Sequence, residues 1–398
     1  MAEVLILLEQ PTPYRNPVLN HLHDGGLDVL VLYHDAALAL HGWGPVRPAH
    51  PSGTVPEGTL AACAFVARQM LAEDLRVLCC FGYHRPANLL AVLLARLRGV
   101  RVVTRSDSNW LDERRRPRLR RLLKKAVLRL VFGSRTRVWT VGRQNDLYWS
   151  HFGFVDRHLI PLDVPTPPVG TGAEGAAFRR ALGSGVGLVV LYVGRLVANK
   201  GLDTLIEAFR AFEDPSARLL VVGKGPLRPA VDEAARRDPR IVAVGPLTQD
   251  ELGSAYAAAD LFVLPSHYEP WGLVVAEAQA NGLRVAVSDV VGCHCDRVGP
   301  ENGWVFPVGD SRRLAEVFRE AATLRDSAGG LRIPPTPSFH AGPAMLADLA
   351  RLGATPRLRE PARATGHGEH PMDATPVPAP VASEQLPAGR FDRGSRPA

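Results

Sequence analysis

Short apolar runs alternate with longer helical patterns along most of this 398-residue chain, and that alternation narrows the possible folds more than any other feature. The runs EVLILL, LDVLVLY, RVLCCF, RVVTR and TRVWTV are nearly continuous in Val, Leu and other apolar residues, as strands buried on both faces are. Segments between them, such as Asn88–Arg98, read as amphipathic helices. Strand–helix alternation predicts an α/β fold with a parallel sheet covered by helices. The same grammar restarts after residue 186 with GLVVLYV, ARLLVVG, RIVAVG, DLFVLP, LRVAVS and GWVFP. The length exceeds what one core usually organises, so a second domain of the same class follows.

The segment LDVPTPPVGTGAEG continues neither pattern, because its Pro, Gly and Thr break both periods. We therefore expect an N-terminal domain over residues 1–165, a linker over 166–185 and a second domain over 186–325. A return segment over 326–354 should hold one helix, around AMLADLARL (Ala344–Leu352). Residues 355–398 are rich in Pro, Ala, Gly, Arg and Glu with hardly any large apolar side chain, so we expect a disordered tail. Two doubly wound, Rossmann-like sheets facing a cleft are the predicted architecture. Ligands in such sheets sit outside the carboxyl ends of the strands.

The opening MAEVLILLEQPTPYRNP puts an acidic residue before a short apolar run and prolines after it, unlike a cleavable leader or a membrane span. It reads as a buried first strand. Five cysteines (Cys63, Cys79, Cys80, Cys293 and Cys295) are too few and too scattered for a disulfide framework, which favours a reducing, cytoplasmic compartment. The formal net charge of +7 implies attraction to something anionic. Nucleic acid is not expected, since the basic stripes lack interleaved aromatics and no recognition motif is present.

The densest chemical signal is Tyr268–Gly282, YEPWGLVVAEAQANG, directly after the strand DLFVLPS. Pro270, Trp271 and Gly272 suit a tight turn into a helix running from Leu273. The free N–H groups at its start suit sugar hydroxyls or phosphate oxygens. Glu277 lies eight residues after Glu269, about two helical turns, so the two carboxylates can hold separate parts of one extended ligand. After the strand ending LYVGR, Gly194 turns the chain toward Arg195 and Lys200, five residues apart. A planar fork and a movable point charge can together neutralise a departing diphosphate. Gly223 and Gly245 close two further strands. Either they let backbone approach a ligand or they are simple turn residues.

These motifs resemble those of the retaining GT-B glycosyltransferases of family 4, the group 1 glycosyl transferases, including bacterial polysaccharide-type members. The match covers roughly residues 188–309, with Glu-x7-Glu in a PS-x-YE-x-(F/W)GL-x3-EA setting and a GR-x4-K element. The resemblance implies transfer of a sugar from a nucleoside diphosphate sugar to a hydroxyl acceptor, lipid-linked or a polysaccharide precursor. It implies catalytic roles for Arg195, Lys200 and Glu269, with Glu269 on the donor sugar and Glu277 on the ribose. Gly194, Gly223, Gly245, Trp271, Gly272 and Leu273 would complete the donor site. Neither an Asp-x-Asp site nor a Walker loop occurs, so no metal or other cofactor is expected. Cys293-His294-Cys295 lacks a second ligand pair and reads as an ordinary loop. No lysine stands in a setting that suits pyridoxal phosphate, which argues against a phosphorylase of the same architecture.

The acceptor half is less diagnostic. PTPYRNP resembles the opening of polysaccharide-type members and puts Tyr14 and Arg15 at the cleft edge. Many relatives carry a His after the strand corresponding to RVVTR, where this chain has Ser106, followed by Asp107 and Ser108. Asp107 is either a sugar contact or a helix N-cap. His84 also follows a strand, and a structural role suits it better than a catalytic one. The departure at Ser106 keeps open a non-catalytic protein that binds a sugar nucleotide or a membrane surface. Nine basic residues fall between Arg114 and Arg129, and Leu119, Leu122, Leu123, Ala126, Val127, Leu130 and Val131 recur at helical spacing. This segment, 114–131, either contacts an anionic membrane peripherally or packs its apolar stripe into the core.

Overall fold

In the computed structural model, which describes residues 2–35, 48–162, 164, 167–328 and 330–356, two parallel sheets carry the chain. The strands are β1 (Val4–Leu8), β2 (Val29–Tyr33), β3 (Ser52–Thr54), β4 (Val77–Phe81), β5 (Arg101–Arg105), β6 (Arg137–Thr140), β7 (Arg157–Leu159), β8 (Val189–Val193), β9 (Arg218–Val222), β10 (Ile241–Val244), β11 (Leu261–Leu264), β12 (Arg284–Ser288) and β13 (Gly303–Phe306). The first sheet runs β3-β2-β1-β4-β5-β6-β7 and the second β10-β9-β8-β11-β12-β13. Each order reverses once, between β1 and β4 and between β8 and β11. The crevice beyond those carboxyl ends is where such sheets take ligands.

The helices are α1 (Asn16–Asp24), α2 (Thr59–Ala72), α3 (Pro86–Leu97), α4 (Trp110–Glu113), α5 (Arg118–Phe132), α6 (Arg143–His151), α7 (Gly172–Ala181), α8 (Leu202–Arg210), α9 (Arg228–Arg237), α10 (Gln249–Ala258), α11 (Leu273–Ala280), α12 (His294–Arg297), α13 (Ser311–Ala328) and α14 (Ala341–Arg351). One face of the first sheet is covered by Val66 and Met70 of α2, Ala91 and Val92 of α3, and Leu128 and Phe132 of α5. The other meets Val18, Leu19 and Leu22 of α1 and Ala341, Met345 and Leu349 of α14. The chain thus leaves the second sheet and returns to seal the first. No helix among the described residues is long and apolar enough to cross a membrane.

One sequence expectation is modified and one open alternative is narrowed. The segment expected as a linker holds α7, because Thr171 and Glu174 form a reciprocal capping box that starts a helix. Arg179 of α7 pairs with Asp260 at 2.9 Å, tying the helix to the second sheet. Most of the apolar stripe of α5 does not pack into the core. Leu119, Leu122, Leu123, Val127 and Leu130 are exposed, at 53–75%, while Leu128, Val131 and Phe132 point inward. Periodicity shows that residues share a face, not what that face meets. The expected tail lies outside the described residues from 357 onward.

Candidate functional site

The loops after β8 and β11 flank the reversal in the second sheet, and they bring the two strongest motifs together. Lys200 Nζ forms an ion pair and hydrogen bond with Glu269 Oε2, across 69 residues of sequence. Both side chains are largely buried, at 15% and 11% exposure, so little solvent screens the pair. The Ser266 hydroxyl donates to the same carboxylate oxygen at 3.4 Å, and Ser288 Oγ holds Ser266 through its carbonyl at 2.6 Å. Arg195 is exposed and makes no ion pair among the described residues. Beneath them lies Tyr192, fully buried, whose hydroxyl donates to the Arg195 carbonyl at 2.9 Å. Burial and the nearby Glu269 push its phenol upward, and Arg195 offsets part of that rise. Asn199 joins the two loops: its carbonyl accepts from the backbone of His267 at 2.9 Å and Tyr268 at 3.2 Å. Neither Tyr192 nor Asn199 stands out in the sequence.

Glu277 stands apart, along α11. It accepts a hydrogen bond from the Tyr256 hydroxyl at 2.8 Å. Burial raises its carboxyl above the usual range, and the bond from Tyr256 offsets part of the rise. Gly272 caps α11 with a left-handed backbone, φ 101°. Leu273 opens the helix, half-buried. The glycines divide in role. A Cβ at Gly223, φ 147°, would overlap the Gly194 carbonyl, so close backbone approach between β8 and β9 accounts for it. Gly245 faces open space.

Trp271 is buried at the seam between the sheets. Its Nε1 donates to the Leu162 carbonyl at 2.7 Å, and its ring fills the space where Gly142 lacks a side chain. Asn109 Nδ2 donates to the Pro270 carbonyl at 3.1 Å, and Asp296 accepts from the Arg143 backbone at 3.0 Å. These contacts hold the N-terminal loops against the turn that carries Glu269. Cys293-His294-Cys295 is self-occupied: His294 Nδ1 lies 2.8 Å from the Val291 carbonyl and Nε2 lies 2.9 Å from Cys295 Sγ.

On the N-terminal side, Asn109 rather than Asp107 caps α4, accepting from Asp112 N at 3.0 Å. Asp107 is exposed and has no hydrogen-bond or ion partner among the described residues. Arg15 stands at the start of α1, its guanidinium over the Tyr14 ring. Arg105 is buried beside it with Nη1 unpartnered. Burial and the neighbouring Arg15 disfavour its charged form, and Asp107 partly relieves this. His84 Nε2 lies 3.1 Å from Glu9 Oε2, within hydrogen-bond distance, just past the ends of β4 and β1.

The family described as Glycosyl transferases group 1 matches residues 187–323. That segment is a group 1 glycosyl transferase domain. It contains Arg195, Lys200, Glu269 and Glu277. The D-inositol 3-phosphate glycosyltransferase of Xylanimonas cellulosilytica is 33% identical over 203 residues, 47% of this chain and 48% of that relative. Across the first matched curated glycosyltransferases the matched segment spans 24–48% of their length. Among solved structures, sucrose-phosphate synthase from Thermosynechococcus elongatus superposes with a TM-score of 0.64 at 19% identity, covering 88% of this chain and 98% of that one. Anabaena Alr3699/HepE in complex with UDP and glucose gives 0.62 at 17%, covering 88% and 97%. At such identities the likeness concerns the fold, and the fold is GT-B: the group 1 domain and the first sheet are its two halves.

Proposed function

We propose that this protein is a retaining glycosyltransferase that moves a sugar from a nucleoside diphosphate sugar to a hydroxyl acceptor without a divalent metal. The observation that carries the reading is the Lys200–Glu269 pair, with Arg195 in the same loop as Lys200, at the ends of the two strands that flank the reversal. Arg195 and Lys200 neutralise the departing diphosphate, Glu269 orients the sugar, Glu277 takes the ribose hydroxyls, and backbone N–H groups of α11 add to the field. Gly194, Gly272, Leu273, Trp271 and Gly245 shape the walls. Arg15 and Asp107 face the cleft from the acceptor side. The Anabaena protein described in complex with UDP and glucose supports a nucleotide-sugar donor.

In the proposed step the acceptor oxygen bonds to the anomeric carbon on the face from which the phosphate oxygen leaves. The carbon–phosphate-oxygen bond breaks, and the hydroxyl proton passes to the departing diphosphate. Lys200 already occupies Glu269, so that carboxylate positions the sugar rather than acting as a nucleophile. A same-face substitution therefore suits the site better than a covalent intermediate.

The test is release of nucleoside diphosphate across a panel of UDP-, GDP- and ADP-sugars with membrane lipid extract as acceptor. Native protein should turn over with at least one donor, and Glu269→Ala should lose at least about a hundredfold in rate. Undiminished release by Glu269→Ala would sink the assignment. Saturable donor binding without turnover would favour a non-catalytic sugar-nucleotide-binding protein, a reading motivated by Ser106.

Glu277 gives a separate expectation. A carboxyl raised in the folded state contributes stability that is lost as pH rises through its folded value. At neutral pH the ionised group is therefore a net cost, so Glu277→Gln should melt higher than native near pH 7.5, the gap closing toward pH 4. The same change should weaken donor binding about ten- to a hundredfold, because a charged acceptor of hydrogen bonds is lost. A variant that melts no higher yet binds donor normally would contradict both halves.

Residues 114–131 we read as a peripheral membrane contact, with the protein on the cytoplasmic face. Burying an aliphatic side chain contributes about 1.5–3 kcal/mol, and each basic residue near an anionic surface about 1 kcal/mol. The outward leucines and the basic run of α5 carry both contributions on one helix.

A further inference from the structure

A groove of about 450 Å³ lies between α4, α5 and the loop after β11, outside the donor cluster. Its far wall is Tyr268, the residue before Glu269, so whatever occupies it lies next to the proposed sugar position. Asp107, Asp112, Arg116 and Glu269 are all close enough to Tyr268 to shift its phenol, while burial raises it most. The bond from Asn109 to the Pro270 carbonyl closes the same edge.

The groove is chemically two-sided. Leu123 and Val127 line it and also belong to the exposed leucine face of α5, so its apolar wall opens onto that face. Its polar side holds Glu113, Asp112, Arg116, Arg120 and Lys124. Asp112 pairs with Arg116 at 3.2 Å, and Glu113 with Lys124 at 2.7 Å. Arg120 remains without an ion partner among the described residues. Glu113 is 5% exposed, and its Oε1 has no hydrogen-bond partner although Oε2 is taken. Lys124 is itself held over the rings of Tyr148 at 5.0 Å and Phe152 at 5.5 Å, which fixes Glu113 in place. A buried acceptor oxygen without a partner is costly unless a donor arrives, and Glu113 is one of the residues that line the groove.

We propose that this groove is the acceptor site and that it takes an anionic amphiphile with a free hydroxyl. Its phosphate lies on Arg120, a hydroxyl donates to Glu113 Oε1, and its apolar chain leaves past Leu123 and Val127 along the outward face of α5. Arg120 offers the forked donor geometry that phosphate takes bidentately. The inference rests on the transferase reading and adds the location and chemical class of its acceptor. A soluble sugar would use the polar wall alone and leave Leu123 and Val127 idle.

The test is binding by the full chain of three probes, dioctanoyl phosphatidylglycerol below its micellar threshold, glycerol 3-phosphate and octyl glucoside. The lipid should bind saturably and at least about tenfold tighter than either half-probe. Arg120→Ala should weaken the two phosphate probes about tenfold without changing octyl glucoside. Val127→Asp should weaken the two amphiphiles and spare glycerol 3-phosphate. Glu113→Gln should weaken all three hydroxyl-bearing probes by a few fold. Leu60→Ser, an exposed leucine of α2 outside the groove, should change nothing. Glycerol 3-phosphate binding as tightly as the lipid would overturn the proposal in favour of a soluble anion, and octyl glucoside doing so would leave only an apolar patch. Lipid binding indifferent to Arg120→Ala would also overturn it. Binding of UDP, GDP and ADP measured on the same samples reads the donor site independently. Failure to bind any of the three with selective lipid binding sinks the transferase reading alone, and the reverse sinks only the groove.

Discussion

Lys200→Ala is expected to lower the turnover number by about two to three orders of magnitude, the usual cost of removing one positioned donor from developing negative charge. Two effects act together in this variant. The diphosphate loses a cation, and the largely buried Glu269 loses its ion partner, retaining among the described residues the 3.4 Å bond from Ser266. Breaking a buried pair by deleting one member destabilises by up to about 3–5 kcal/mol, less here because Glu269 keeps some solvent contact. The double variant Lys200→Met with Glu269→Gln separates these effects. It removes both charges at once, so it should recover most of the lost melting temperature while staying inactive. Steady-state kinetics and thermal unfolding of the two singles and the double make the cycle. Turnover of Lys200→Ala within threefold of native would refute the assignment. A double variant no more stable than Lys200→Ala would show that the pair is not coupled in the folded protein.

Strands buried on both faces were the most legible part of the fold. VLILL in β1 and VVLYV in β8 consist almost wholly of apolar residues because helices cover both sides of a parallel sheet. The edge strands β3 and β7 were missed. They read SGT and RHL, with one solvated side and no apolar run to betray them, and only pairing with β2 and β6 makes them strands. Helix α7 was legible in principle through Thr171-x-x-Glu174, but the prolines just before it drew the reading toward a linker. Residue types after β8 and β11 marked two loops that the fold brings together, because the ends of strands flanking a reversal are defined by sequence order. Partners were not legible. That Lys200 meets Glu269, that Tyr256 meets Glu277, and that Trp271 lies on Gly142 depend on loop course in three dimensions. The outward turn of the α5 leucines was equally hidden, since a helical stripe looks alike whether it faces a core or not.

Asp348→Ala should destabilise the N-terminal half by about 3–5 kcal/mol, a large share of a typical domain's margin. Asp348 sits on α14 at 2% exposure, where its carboxylate accepts from Arg137 Nη1 and Trp139 Nε1, both at 2.8 Å. Removing it leaves a buried indole N–H unsatisfied and Arg137 with Asp156 alone, at 3.1 Å. Asp348→Asn keeps one acceptor and should lie between native and Ala. The effect belongs to the first sheet although residue 348 follows the group 1 domain. Just upstream, Arg332 and the backbone of Ile333 and Thr336 bond the second half, to the carbonyls of Asn281, Gly282 and Gln279. The chain therefore crosses between halves a second time within residues 337–340, and α14 fastens the far side of that crossing. Two covalent crossings restrict how the cleft opens more than one would, and Asp348 anchors the second. Calorimetry should show the shift in the transition of the N-terminal half, with the transition of the group 1 domain left in place. An Asp348→Ala variant melting within 1 °C of native would mean that α14 is held by its apolar face alone, through Ala341, Met345 and Leu349.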